Sequence, residues 1–426
     1  MSAQGECQQT KFFVNAQTRY TARMRFQIAL LLACAWSSTV PGQAELSPLR
    51  PAAPAKVPEQ LRRDWQLATF YEKFLDVSGI PLLASGKVSD HALLEAAWLV
   101  DRMIGHRTDL LAAIAEQKVR IAIMAPDEFT TDIPEHSDLR PKEYWDKRAR
   151  GLGATRRRPA VSCGEENLLC YPGDPYAAEN ILIHEFAHVI HERGLSRIDE
   201  TFDRRLRNGF DQARKSGLWK GTYAGTNPME YWAEGVQSWF DANRENDSEH
   251  NHVNTRDALK EYDPSLAQLL IEIFGDTAWR YVRPTDRRPP SPHLATFARD
   301  NLPRLRWPAA LLAWHERVSR EETFAPPDAE RISAMLPDAR SEWRSSGDGA
   351  ATRLTFFNAA KTELRLEWID FAGDPQNPVH LRPRDHFQTE TFVGHVWRVS
   401  HPGKDATRYF VAVPKPGSVV LKDFPD

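Results

Sequence analysis

The chain has 426 residues, of which 41% are hydrophobic, 27% charged and 10% aromatic, and its formal net charge is -3. These values are typical of globular proteins and exclude a largely disordered chain, a collagen-like repeat or a coiled coil as the main architecture. The length exceeds one ordinary core and predicts at least two folded domains. The balanced charge argues against a nucleic-acid-binding protein, and the mean hydropathy of -0.53 argues against many membrane spans.

Residues 1–44 are predicted to be a secretory signal peptide. An apolar run at 26–36 follows several arginines and precedes small residues that end at Ala44. This run is too short to span a membrane as a helix, and its basic and small-residue flanks are typical of a secretory signal. Met24 suits the start of such a signal better than the first residue. We therefore expect a secreted or periplasmic protein without a stable membrane span, with lipid attachment at Cys34 as the alternative.

The mature chain would retain two cysteines, Cys163 and Cys170. In an oxidising compartment these residues are near enough in sequence to close a small disulfide loop, and two free thiols are the alternative. We do not expect a zinc site built from cysteines, because the mature chain offers no second pair of them.

Changes in composition and periodicity predict the domain boundaries. Residues 45–58 are rich in Pro and Ala and predict a linker. Residues 59–282 are expected to form a mainly helical domain, with helical spacing of apolar residues through 61–116 and a short strand at 119–124. Residues 283–344 begin with a Pro-rich run and predict a linker that contains one helix.

The periodicity of apolar residues changes to two near the C-terminus. Leu364, Leu366 and Trp368 alternate with charged residues, and Gly and Pro residues recur between short apolar segments. Residues 345–426, named the β module here, are therefore predicted to form a small all-β sandwich. The whole chain is predicted to be a multidomain α+β protein, and the Pro-rich run predicts that its two folded parts are separable.

The motif HEFAH at residues 184–188 carries the chemistry. His184 and His188 lie one turn apart on a helix, so both imidazoles can bind one metal ion, with Glu185 beside them to accept a proton from water. The surrounding segment is nearly apolar, and we expect its helix to be capped by Asp174. Buried histidines that hold no metal are the alternative interpretation.

A catalytic zinc ion requires a third protein ligand. A metzincin is excluded, because Gly194 stands where its third ligand would be. Further along, Asn227 and Pro228 predict the start of a second helix that carries Glu230 and Glu234 on one face. We assign Glu230 as the ligand and Glu234 as the carboxylate that accepts a hydrogen bond from a ligating imidazole. The reverse order and a capping box between Asn227 and Glu230 are the alternatives.

The region from Cys170 to Asp241 resembles the catalytic domain of the anthrax lethal factor family, which are gluzincin metallopeptidases. The resemblance rests on HEFAH, on Tyr223 and on the run EYWAE that begins at Glu230. It implies a zincin-type metallopeptidase domain with one zinc ion per chain and a role for each site residue: zinc ligands His184, His188 and Glu230, base and acid Glu185, imidazole-orienting Glu234, and oxyanion-stabilising Tyr223.

Four segments stand out in the region 352–413, namely FFN at 356–358, LRLEWIDFAG at 364–373, DPQ at 374–376 and GHVW at 394–397. On these segments the region is similar to the β domain of the von Hippel–Lindau tumour suppressor. The resemblance implies a proline-rich or hydroxyproline-containing peptide partner at His395 and Trp397. Pro378, Glu390 and Thr391 replace a tyrosine, a histidine and a serine of that family, which leaves hydroxyproline binding open. Burial of Trp397 in the sandwich core is the alternative.

Two functions follow from these observations. The first is a secreted zinc-dependent endopeptidase that hydrolyses peptide bonds of a peptide or protein substrate with activated water, while the β module binds a partner or substrate. The alternative is a non-catalytic secreted binding protein in which zinc is a structural element.

Overall fold

The computed structural model describes residues 53–321, 325, 329–337, 342–404 and 406–424. The predicted signal peptide and residues 45–52 of the predicted linker lie outside this part of the chain. Among the described residues, no helix is both long and apolar enough to cross a membrane. All of the described residues belong to one compact unit, Pro48–Asp426.

A mixed sheet underlies the N-terminal part of this unit. Its strands are β1 (Ala55–Lys56), β2 (Lys73–Val77), β3 (Ile80–Ala84), β4 (Arg120–Met124), β5 (Gly151–Leu152) and β6 (Ala160–Gly164), in the spatial order β1-β2-β3-β4-β6-β5. Parallel pairing joins β3 to β4 and β4 to β6, and all three strands are fully buried. Continuous apolar runs are typical of such doubly covered strands.

Helices make up most of the regular structure in residues 59–282, as expected, but the sequence predicted only one strand of the sheet. Residues 61–116 contain the β2–β3 hairpin, which turns at Ser78 and Gly79, both with positive φ. The IPLLA sequence of β3 has no polar alternation because both faces are covered, so its period could not be distinguished from that of a buried helix. The predicted strand at 119–124 is confirmed as β4.

Helices cover the sheet and carry the site. They are α1 (Glu59–Trp65), α2 (Asp90–Ile104), α3 (Thr108–Glu116), α4 (Lys142–Arg148), α5 (Glu165–Leu169), α6 (Ile181–Val189), α7 (Ser196–Ile198), α8 (Phe202–Lys215), α9 (Pro228–Trp239), α10 (Arg256–Tyr262), α11 (Pro264–Phe274) and α12 (Ala309–Glu321). The α6 helix continues into a π-helical stretch at Ile190–Leu195. It packs between β6 and α9, where Phe186 and Trp232 are completely buried.

Residues 283–305, which the sequence placed in a linker, lie along the N-terminal part. Arg287 donates to both carboxylate oxygens of the completely buried Glu95 in α2, at 2.8 and 2.6 Å. His293 Nε2 lies 2.7 Å from the same carboxylate, and Leu294 joins the apolar core. This segment is therefore a strap that the side chains of Arg287 and His293 fasten to α2.

The β module forms two sheets, as the alternating pattern predicted. One strand that precedes the module, β7 (Glu330–Arg331), joins one of these sheets as its outermost strand. The strands of the module itself are β8 (Ala351–Asn358), β9 (Leu364–Ile369), β10 (Pro375–Leu381), β11 (His386–Phe392), β12 (Val396–Ser400), β13 (Thr407–Val411) and β14 (Gly417–Leu421). The spatial orders are β10-β9-β12-β13 and β11-β8-β14-β7. A core that includes Phe356, Leu366 and Phe410 fills the space between the sheets.

The two ends of the β module differ in position. The turn at 382–385, between β10 and β11, lies at the end that contacts the N-terminal part, where Arg148 Nη1 is 3.0 Å from Asp385 Oδ1. The loops at 370–374 and 393–395 lie at the opposite end, because β10 and β11 each run from one end of the sandwich to the other.

Candidate metal centre

The helix that carries HEFAH begins at Ile181, not near Asp174 as predicted. Asn180 is its N-cap and accepts a first-turn N–H at 3.0 Å, while Asn167 accepts the N–H of Ile181 at 2.8 Å. Asp174 instead accepts the N–H of Tyr176 at 2.9 Å. Both asparagines are buried, so the first orphaned amides of the helix are satisfied inside the protein. This anchoring fixes where the HEFAH side chains project.

The second predicted helix begins as the sequence indicated. Asn227 accepts the N–H groups of Met229 and Glu230, each at 2.9 Å, and Pro228 occupies the first helical position. The Glu230 side chain reaches toward α6, where its Oε2 lies 3.2 Å from His184 Nε2. The capping of α9 and the placement of Glu230 are therefore separate features of the same segment.

Three candidate ligand atoms face one another at the contact between α6 and α9. The Nε2 atoms of His184 and His188 are 3.2 Å apart, and Glu230 Oε2 lies 3.2 and 3.4 Å from them. Tetrahedral zinc with bonds of about 2.0–2.1 Å separates its ligand atoms by roughly 3.3–3.4 Å. The three observed separations match that triangle, so the residues present fit a zinc ion.

The electrostatics of this cluster also fit a cation. Burial lowers the pKa of His184, but the surrounding carboxylates of Glu230, Glu185 and Glu234 outweigh burial and raise this pKa well above its ordinary value. Glu230 Oε2 is buried and makes no well-directed hydrogen bond within the described residues. A buried carboxylate oxygen in that state is costly unless a positive charge offsets it. A divalent ion would supply this charge.

Gln237, which the sequence analysis did not single out, orients His184. Its Oε1 lies 2.8 Å from His184 Nδ1, while its amide donates to Glu179 Oε2 at 3.1 Å and to the carbonyl of Asn180 at 3.3 Å. Because the amide group is occupied as a donor, Oε1 is left as the acceptor for Nδ1–H. The lone pair of His184 Nε2 is then free to face Glu230 and His188.

Glu234 lies next to this contact but has other near partners. Its Oε1 is 3.5 Å from His184 Nδ1, which is longer than the 2.8 Å to Gln237. Its Oε2 accepts from Asn243 at 3.0 Å and lies 3.2 Å from His250 Nε2. Gln237 is therefore nearer to the His184 imidazole than Glu234 is. Glu234 lies between that imidazole and a buried network that includes His250.

A sequence signal existed for Gln237 but not for His250. Gln237 lies three residues after Glu234 and seven after Glu230, on the same face of α9. His250 lies in an irregular segment, where Asp247 Oδ1 holds its Nδ1 at 2.8 Å. No periodicity connects that segment to the motif.

Glu185 projects into the cleft beside the edge strand β5. A Cβ at Gly153 would lie 3.3 Å from Glu185 Oε2, and one at Gly151 would lie 3.3 Å from its Cγ. The two glycines therefore leave room for this carboxylate. Burial raises the pKa of Glu185, while His184 and His188 lower it.

Tyr223 covers the other side of the cluster. Its ring lies nearly parallel to the His184 ring, with centroids 6.1 Å apart, and its main-chain N–H donates to the Glu249 carbonyl at 2.7 Å. Burial and the neighbouring Glu230 carboxylate raise the pKa of Tyr223 well above its ordinary value. The phenol is therefore protonated at neutral pH and can donate a hydrogen bond.

A cleft of about 250 Å³ lies beside this cluster. Its wall includes His184, Glu185 and Tyr223 from the N-terminal part and Arg382 from the β module. The sequence analysis predicted that the N-terminal part and the β module are separable, and it did not predict that both contribute residues to one cleft.

The predicted disulfide is not formed, and both cysteines are free. Cys163 is completely buried in β6, where burial raises the pKa of its thiol. Cys170 ends α5 with a positive φ, and its thiol lies beside Arg283 and Tyr281. The two cysteines therefore have different surroundings although they are close in sequence, because Cys163 lies in a strand and Cys170 caps a helix.

The peptide-binding prediction for the β module needs one correction. Trp397 is 7% exposed and packs in the sandwich core, so the alternative interpretation of this residue is correct. His395 lies instead beside Trp368, at 5.2 Å between ring centroids, and beside Phe371 and Phe392, at 5.7 and 5.3 Å. We name Trp368, Phe371, Phe392 and His395 the aromatic rim.

One comparison with known proteins bears on this architecture. Residues 344–407 match the family model of the VHL beta domain, a stretch that includes β8 to β12. The predicted similarity of the β module is thereby confirmed. No curated protein was found to match the chain.

Proposed function

We propose that the chain is a secreted zinc-dependent endopeptidase of the gluzincin type. The observation that carries this proposal is the triangle of His184 Nε2, His188 Nε2 and Glu230 Oε2, with sides of 3.2, 3.2 and 3.4 Å. The similarity of the motif to the anthrax lethal factor catalytic domain supports the same assignment. Secretion rests on the predicted signal peptide at residues 1–44.

The residues around the triangle have distinct roles in this proposal. When bound, zinc supplies Lewis acidity toward water and a scissile carbonyl. His184, His188 and Glu230 hold the ion, and Glu185 accepts a proton from the attacking water and passes it to the leaving amine. The protonated phenol of Tyr223 donates a hydrogen bond to the developing oxyanion.

The edge of the sheet suits an extended peptide. Strand β5 is the outermost strand beside β6, and its residues Gly151 and Leu152 border the cleft. An edge strand offers main-chain N–H and C=O groups to a peptide that pairs with it. This arrangement favours a polypeptide substrate over a small molecule.

Metal analysis and cleavage of a broad peptide library test the proposal. We expect one zinc ion per chain and hydrolysis in the wild type, whereas Glu185→Gln should keep fold and zinc but lose turnover, because an amide cannot accept the proton. Glu192→Gln, on the π-helical continuation of α6, is a matched control that should retain activity. One zinc ion per chain without hydrolysis of any peptide would favour the alternative of a non-catalytic binding protein.

For the β module, we propose a proline-rich or hydroxyproline-containing peptide partner at the aromatic rim. Phe371 and Phe392 are 54% and 49% exposed, and large exposed rings in one cluster are typical of binding surfaces. His395 Nδ1 lies 3.1 Å from Thr391 Oγ1, which orients the imidazole at the rim. Titration of the full chain with proline and hydroxyproline peptides, compared with Phe371→Ala, tests this. The proposal would be contradicted if the wild type and Phe371→Ala bound these peptides equally well, or if neither protein bound them.

A further inference from the structure

Arg382, in the turn between β10 and β11, lies against Tyr223 in the N-terminal part. Its guanidinium carbon is 3.7 Å from the centroid of the Tyr223 ring. This is well within the range of about 6 Å over which a cation is attracted to an aromatic face. A residue of the β module is thus in direct contact with the phenol beside the metal cluster.

Glu249 contacts both Arg382 and Tyr223. Its Oε1 accepts from Arg382 Nη1 at 2.8 Å, and its main-chain carbonyl accepts the N–H of Tyr223 at 2.7 Å. One residue therefore holds both the backbone of Tyr223 and the side chain that covers its ring. A further ion pair between Arg148 and Asp385, at 3.0 Å, fixes the turn itself.

We propose that the β module completes the active-site cleft and that Arg382 is a positioning residue for Tyr223. The proposal rests on the peptidase function proposed above and extends it to a second part of the chain. Arg382 holds the phenol in the orientation in which its hydroxyl can reach a developing oxyanion. The β module is then part of the catalytic unit and not only a partner-binding appendage.

The position of Tyr223 in the chain explains why it needs such support. It lies between Gly221 and Gly225 in a stretch of turns that precedes α9, and Gly221 has a positive φ. A turn-rich stretch without its own helix or strand fixes a side chain poorly by itself. The cation over the ring and the ion pair to Glu249 supply the missing constraint from outside the stretch.

Kinetics of the full-length protein on a short peptide test this role. Arg382→Ala should lower kcat about 10-fold with little change in KM, because Tyr223 acts in the transition state. In the Tyr223→Phe background the same change should lower kcat less than about twofold, since residues that act as one unit are not additive. Arg382→Lys should restore part of the loss. Arg353→Ala removes another arginine of the β module, paired with Glu390, and should leave kcat unchanged.

Hydrogen exchange gives a readout that does not depend on activity. In Arg382→Ala, the amides of residues 219–226 should exchange faster than in the wild type or in Arg353→Ala. An inactive wild type with faster exchange in Arg382→Ala would overturn the peptidase function but support the contact. Unchanged exchange, or a 10-fold loss of kcat that persists in the Tyr223→Phe background, would overturn the positioning role.

Discussion

Gln237 gives a sharp test of how the site is organised. Gln237→Met removes the acceptor 2.8 Å from His184 Nδ1 while keeping an unbranched side chain of similar length in a fully buried position. Loss of such an orienting partner lowers metal affinity about 10- to 100-fold, which is about 1.4–2.7 kcal/mol. The change also leaves Glu179 Oε2 without its donor at 3.1 Å, which costs about 1–3 kcal/mol of folding stability.

Competition with a chromophoric chelator would measure zinc affinity, and urea unfolding of the metal-free protein would measure stability. Ser238→Ala is the control, because it removes buried hydrogen bonds of the same helix, one to the Val253 carbonyl and one from Asn243, without removing a partner of His184. Its zinc affinity should stay within about threefold of the wild type. If Gln237→Met bound zinc within twofold of the wild type while Glu234→Gln lost 10-fold or more, Glu234 would be the orienting residue after all.

Three further predictions concern the phenol, the strap and a buried histidine. Tyr223→Phe should lower kcat by roughly 10²-fold with KM little changed, as measured by steady-state kinetics, because one oxyanion donor is lost. Glu95→Ala should lower the free energy of unfolding by about 3–5 kcal/mol, since it leaves the cation of Arg287 buried and unpaired, and Glu95→Gln should be milder in the same urea titration. Burial lowers the pKa of His136 to about 4. The unfolded chain therefore takes up this proton first, so stability should fall by at most about 3 kcal/mol as pH drops from about 6.5 toward 4, and His136→Gln should flatten that decrease.

Much of the candidate site could be predicted because helices impose short, fixed spacings. His184 and His188 share one helix, and Asn227 and Pro228 mark the start of the helix that carries Glu230. The need for a third zinc ligand suggested that the two helices meet, and the resemblance to a known family implied the same pairing, since no local pattern shows which helix faces pack together. Gln237 was missed because amides are rarely considered as orienting groups, although its spacing placed it on the right face.

The contacts that cross the chain could not be predicted from local patterns. Arg382 and Tyr223 are separated by more than one hundred residues, and a basic residue in a turn normally indicates only a solvated surface. Residues 283–305 had no apolar period because polar contacts of Arg287 and His293 with Glu95, together with single apolar residues such as Leu294, fasten them. Trp397 alternates like its neighbours, so the sequence did not decide whether its ring faced the core or the rim.

The length of β11 sets a minimum distance between the two functions assigned to the β module. This strand covers His386–Phe392, and at about 3.4 Å per residue it separates the turn beside the cleft from the aromatic rim by about 20 Å. In the proposed functions, a polypeptide held at the rim would therefore need about six extended residues to reach the end of the β module that lies beside the cleft. The length of the sandwich would then set the distance between the bound segment and the cleaved bond. It would direct cleavage to bonds at a set spacing from a proline-rich anchor, and peptides shorter than that spacing would gain nothing from the rim.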